Sequence, residues 1–154
     1  MTLNAWRILK TKYLKEAFDG EGARLYGGRW NSPGNRIVYT AEHASLAVLE
    51  ILVHLESSIP LPGYSLVRVE FDASIVETLD VKGLPTNWRA SPPPVEVQSI
   101  GDQWIEEGRS VVLKVPSVVL PIEHVYLLNP QHPDFKGIAI FAPISYSFDK
   151  RLLD

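Results

Sequence analysis

The sequence predicts a single α+β domain over residues 1–154, with mixed or antiparallel sheets of short strands and flanking helices. Three observations lead there. The length suits one hydrophobic core. Short runs of β-branched and aromatic residues recur between prolines and glycines. Only two longer stretches, 41–56 and 95–107, suit a helix.

Taken in order, Ala5 to Leu9 reads as a first strand. Asp19 to Asn35 carries Gly20, Gly22, Gly27, Gly28 and Gly34, so a loop or irregular hairpin is expected. Ile37-Val38-Tyr39-Thr40 reads as a short strand. Across Ala41 to Glu56, Ala44, Ala47, Val48, Ile51, Leu52 and Leu55 fall at helical spacing. Thr40 is the expected N-cap, and Glu42 suits the positive end of the helix dipole.

Pro60 and Pro62 then punctuate the chain. From Leu66 to Phe71 the residues alternate, with Val67, Val69 and Phe71 on one face of a half-buried strand. Asp80 to Pro94, with Gly83, Pro85 and Pro92-Pro93-Pro94, reads as a surface loop. Val95 to Glu107 reads as a helix around Trp104, weakened by Gly101. Val111–Val115, Val118–Leu120, Val125–Leu128 and Ile138–Phe141 complete the expected strands.

Composition narrows the chemistry. There is no cysteine, which excludes disulfides, thiolate catalysis and sulfur-ligated zinc. The net charge is −3 with scattered basic residues, so direct nucleic-acid binding is not expected. The first residues lack a basic segment followed by an apolar run, and no apolar stretch reaches about 18 residues. A cytoplasmic protein without membrane contact is the expectation.

Several familiar sites are absent. Gly20-Glu21-Gly22-Ala23-Arg24-Leu25 begins like a dinucleotide fingerprint but ends on leucine, without a strong strand before it. No Walker-type phosphate loop exists. His43, His54, His124 and His132 form no His-Glu-x-x-His pattern, so no metal is expected. Trp30 and Trp88 suit core, site or partner surface, whereas Trp104 suits the core.

Three segments hold candidate polar groups. In Gly27-Gly28-Arg29-Trp30-Asn31 two glycines permit close backbone approach, and Arg29 offers a fork of donors for phosphate or carboxylate. An ordinary turn with a surface arginine fits as well. Glu50 has mostly apolar neighbours one helical turn away, Leu46, Ala47 and Val53, with His54. A carboxylate there needs a partner, whether it faces a site or is a satisfied core acid. Ser117 follows Pro116, which breaks a ladder and can turn the hydroxyl toward a cavity. No Gly-x-Ser-x-Gly elbow surrounds it, so a turn serine is the simpler reading.

Together these pieces resemble the RES domain. The resemblance rests on Gly22-Ala23-Arg24-Leu25-Tyr26-Gly27-Gly28-Arg29-Trp30-Asn31, Val38-Tyr39-Thr40-Ala41-Glu42 and Ala47-Val48-Leu49-Glu50. It continues through Gly101-Asp102-Gln103-Trp104, Val115-Pro116-Ser117 and Asn129-Pro130-Gln131-His132-Pro133, in order along nearly the whole chain. It implies a fold related to ADP-ribosyltransferases and a bacterial toxin that depletes NAD+ by hydrolysis or phosphorolysis. It implies a partner too, an antitoxin with a Xre-like DNA-binding region that blocks the active site, and a homodimer within the complex. Arg29, Tyr39, Glu50 and Ser117 are then the expected catalytic residues. Arg7, Tyr26, Gly28 and Asn129, with Arg29 and Tyr39, are expected to bind NAD+ as substrate. No cofactor or metal is implied, and inorganic phosphate is a possible co-substrate.

On this reading Arg29 holds the pyrophosphate or a phosphate ion, and Glu50 stabilises cationic character on the ribose. Tyr39 stacks on nicotinamide, and Ser117 bonds the nicotinamide amide or a ribose hydroxyl. Two alternatives stay open: a mono-ADP-ribosyltransferase acting on a host protein, and a non-enzymatic interaction module.

Overall fold

A computed structural model describes residues 1–55 and 63–153. One mixed sheet organises the chain. Its strands are β1 (Thr2–Lys10), β2 (Val38–Ala41), β3 (Tyr64–Asp72), β4 (Val76–Thr78), β5 (Val112–Pro116), β6 (His124–Leu128), β7 (Ala139–Ile140) and β8 (Ile144–Tyr146). The order is β4-β5-β6-β2-β1-β3, with β7 and β8 both pairing along the free edge of β3. Only β4 and β5 pair in parallel; the other pairings between these strands are antiparallel. This is the α+β architecture the sequence predicts.

The central strands are covered on both faces, because successive side chains point to opposite sides. Along β6, Val125 and Leu127 join a cluster with Trp30, Val97 and Trp104, whereas Tyr126 and Leu128 join Ala5, Val69 and Phe71 on the other face. Along β3, Val67, Val69 and Phe71 are buried as the alternation predicts, and Arg68 and Glu70 stay partly exposed.

Among the described residues, three α-helices flank the sheet: α1 (Glu21–Tyr26), α2 (Ala44–Leu52) and α3 (Val95–Glu107). The α3 bounds match the sequence expectation, and Val97, Gly101 and Trp104 form its buried face. Trp104 is completely buried, and its indole N–H is satisfied because Nε1 donates to Ser110 Oγ at 2.9 Å. A second small cluster, Leu46 and Ala47 with Ala41, seats α2 against Trp6, Ile8 and Leu66.

Four expectations need correction. The glycine-rich stretch is not all loop, because Glu21–Tyr26 forms α1. There Asp19 Oδ1 accepts the Glu21 N–H at 2.9 Å, and Arg24 pairs with Glu21 one turn away. Thr40 does not cap α2. It stays in β2, buried, and its hydroxyl donates to the Tyr126 carbonyl at 2.8 Å. The helix starts three residues later than expected, with His43 at the cap position and Glu42 instead bonded to His124. Val118–Leu120 is a bend, not a strand. Glu56, Pro60 and Pro62 lie outside the described residues. No helix among the described residues is long and apolar enough to cross a membrane.

Candidate active site

Two cavities of about 380 Å³ and 640 Å³ meet along one wall. Gly28, Arg29, Tyr39, Glu50 and His54 border both, so they form two lobes of one cleft. Each lobe falls in the size range of small-molecule sites. Lobe one extends toward Trp6, Arg7 and Thr40; lobe two toward Tyr26, Arg89 and Gln98.

The Gly27–Asn31 turn places Arg29 at this waist. Gly28 N–H donates to the Asn31 carbonyl at 2.9 Å, and Gln98 Nε2 donates to the Gly28 carbonyl at 3.1 Å. A Cβ on Gly28 would stand 2.6 Å from the Tyr39 hydroxyl, so the tyrosine approaches only because this residue is glycine. From below, Asp102 on α3 accepts from Ser32 N–H at 3.1 Å, Ser32 Oγ at 2.6 Å and Asn35 Nδ2 at 2.8 Å. Arg29 Nη1 donates to the carbonyls of Trp88 (3.1 Å) and Ala90, strapping the proline-rich loop over lobe two. Partial burial lowers the Arg29 pKa, and the nearby Glu50 charge opposes that shift.

Tyr39 is held at its tip. Its hydroxyl donates to Asn31 Oδ1 at 2.6 Å and accepts from Trp30 N–H at 3.0 Å. Burial raises the phenol pKa well above its ordinary value, so it keeps the proton that Asn31 needs. Tyr39→Phe is expected to leave the buried Asn31 oxygen and Trp30 N–H unpaired, costing about 1–3 kcal/mol. Urea melting measures this, and an unchanged midpoint would deny the hydroxyl its role in holding the turn.

Glu50 reaches the waist from α2. Its partner is Ser117, whose Oγ donates to Glu50 Oε1 at 2.6 Å. Ser117 Oγ in turn accepts from Val119 N–H at 3.1 Å and Leu120 N–H at 3.0 Å. Ser117 is fully buried and borders neither lobe. Its donor is committed to Glu50, and that bond positions the carboxylate. The turn-serine reading is also realised, since Ser117 caps the 118–120 bend.

Arg7, on β1, borders lobe one. Nη1 donates to the Tyr39 carbonyl at 3.1 Å, but the buried Nε has no partner among the described residues. Burial lowers its pKa to about 10, opposed by Asp19, so it is still a cation at neutral pH. A buried donor left unpaired costs free energy. Tyr26 stands highly exposed at the rim of lobe two.

Asn129 does not join this group. It borders neither lobe, and its Oδ1 accepts from Gln131 N–H at 3.0 Å in a local turn. His54, in contrast, borders both lobes without having been singled out. Its place four residues after Glu50 was the signal, since that spacing shares a helix face. Asn31 and Asp102 were visible only as parts of a motif, and their bonds make them supports of the turn.

The model of the RES domain matches residues 4–149. The chain belongs to the RES family. It is 40% identical over 148 residues to Toxin Res of Yersinia enterocolitica, covering 96% of this chain and 97% of that one. It is also 40% identical over 159 residues to the Prs ADP-ribosylating toxin of a Sphingobium species, covering 99% and 98%. Among solved structures, the Mycobacterium tuberculosis MbcT–MbcA toxin–antitoxin complex holds a chain of the same fold. The TM-score is 0.79 with 17% identity, over 99% of this RES chain and 87% of that one.

Proposed function

We propose that this RES protein is the toxin of a toxin–antitoxin pair, and that it consumes NAD+ by breaking the nicotinamide–ribose bond. One observation carries the reading: Arg29 and Glu50, distant in sequence, meet at the waist of a two-lobed cleft. A dinucleotide is itself two-ended, and it needs a cation for its pyrophosphate near an anion for its ribose. Arg7 adds a second guanidinium on the wall of lobe one.

The chemistry follows from charge. As the C1′–N bond breaks, its electron pair neutralises the pyridinium ring, so nicotinamide leaves without needing a proton. Positive charge develops on the ribose, as in other glycosidic cleavages. Glu50 is the anion at that point, and Ser117 holds it in place through one short hydrogen bond. Arg29 and the Tyr39 ring orient the dinucleotide. An oxygen nucleophile then adds to C1′ and loses its proton.

The acceptor is water, inorganic phosphate or a protein side chain. The name of the Sphingobium relative favours keeping protein transfer as a second reading. Incubating the purified chain with labelled NAD+, with and without phosphate, separates them. Free ADP-ribose or its phosphorylated form supports NAD+ loss; label on protein supports transfer. No NAD+ consumption in any arm would overturn the proposal and leave a binding module. An antitoxin that covers the cleft, a homodimer and a cytoplasmic location belong to the same reading.

Arg29→Ala is expected to raise the KM for NAD+ about tenfold or more by removing a charge-assisted bond. It also frees the Trp88 and Ala90 carbonyls. Steady-state kinetics check the first effect, and an unchanged KM would remove Arg29 from substrate binding.

A further inference from the structure

Outside the cleft, two Glu-His dipeptides meet head to tail. The register of β2 against β6 sets Ala41 opposite Val125. One step beyond, Glu42 N–H donates to the His124 carbonyl at 3.0 Å, and His124 N–H donates to Glu42 Oε1 at 2.8 Å. His43 Nδ1 then lies 3.1 Å from Glu123 Oε1, and His124 Nδ1 lies 3.3 Å from Glu42 Oε1. One ligand atom each from Glu42, His43 and Glu123 falls within 4.8 Å of the others. None of the three borders either lobe.

We infer that Glu42, His43 and Glu123 form a binding site for one divalent cation of the zinc class, with His124 steering the Glu42 carboxylate. Two carboxylates stand together here, and among the described residues no lysine or arginine pairs with either. Carboxylates drawn together without a permanent counter-charge gain from a dication. The ligand types choose the ion: imidazole suits zinc or nickel, and carboxylates are shared with harder ions. Small side-chain rotations bring the three groups to bonding distances of about 2.1 Å. His124 against Glu42 has the arrangement of an outer partner that orients a ligand.

The site joins two segments that serve the cleft. Glu42 and His43 precede α2, which carries Glu50. Glu123 closes the loop that begins at Ser117, where Ser117 N–H donates to the Glu123 carbonyl at 2.9 Å. A bound ion therefore clamps the start of α2 to the loop whose serine holds Glu50.

Isothermal titration of the tag-free chain with zinc chloride tests this. One ion per chain is expected. His43→Ala and Glu123→Gln should each weaken binding at least about tenfold. His43 is exposed, so its replacement leaves the fold undisturbed. Zinc should raise the melting temperature of the wild type and not of His43→Ala. His54→Ala, at the cleft, should titrate like the wild type. The inference fails if the wild type takes up no zinc, if both site variants match it, or if His54→Ala alone removes binding. None of these readouts depends on NAD+ chemistry.

Discussion

Glu50→Gln is expected to lower NAD+ turnover at least about a hundredfold while the melting temperature stays near that of the wild type. The two halves of that result have separate physical origins. Glutamine keeps a carbonyl oxygen of the same reach, so Ser117 Oγ still has an acceptor in place of the 2.6 Å bond to Glu50. The Val119 and Leu120 N–H groups keep their bonds to Ser117, and the 118–120 bend persists. What disappears is the negative charge at the waist. If charge on the ribose is what Glu50 stabilises, that loss falls on kcat more than on KM. Assaying nicotinamide release at saturating NAD+ decides it. Wild-type turnover by folded Glu50→Gln protein would end the assignment.

The fold was legible where one physical rule acted alone. The apolar face of α3 needs only helical spacing, and the β3 alternation needs only a strand with one covered side. The misreadings fall where two uses of the same group compete. Val118, Val119 and Leu120 are strand formers, but Ser117 Oγ takes the Val119 and Leu120 N–H groups out of any ladder. Thr40 is a good cap by type, yet the sheet claims its hydroxyl. Glycines at 20 and 22 suggest loop, whereas the Glu21–Arg24 pair supports a turn of helix that runs through Gly22.

The site divides the same way. Arg29 and Glu50 were identifiable because the RES pattern fixes their order along the chain. The bond from Ser117 to Glu50 depends on α2 lying against the 117–123 loop, a contact 67 residues apart in sequence. No local pattern carries such a contact. The unpaired Arg7 Nε is likewise a property of packing, since its burial is decided by neighbours from several elements. The Glu42–His43–Glu123 group was invisible for the same reason: each half is an ordinary dipeptide until β2 and β6 pair.

Gly101→Ala is expected to be the most destabilising of these changes. Gly101 is buried on α3 beneath the Gly27–Asn31 turn, and an added Cβ would stand 1.8 Å from the Trp30 carbonyl oxygen and 2.9 Å from its carbon. Those are backbone atoms, so no rotamer change relieves the clash; helix and turn must separate. Alanine normally gains about 0.5–1 kcal/mol over glycine inside a helix. Here overpacking wins, with a net cost of about 3 kcal/mol, or about 10 °C in Tm for a domain of this size. Gly22→Ala supplies the contrast, because a Cβ there meets nothing within 4 Å and α1 should gain slightly. The displacement also reaches the cleft, since Trp30 follows Arg29 and its N–H binds the Tyr39 hydroxyl. Gly101→Ala should thus lose NAD+ turnover even below its own melting point. Calorimetry with assays at low temperature separates the two effects, and a wild-type Tm would show that α3 does not press on the turn.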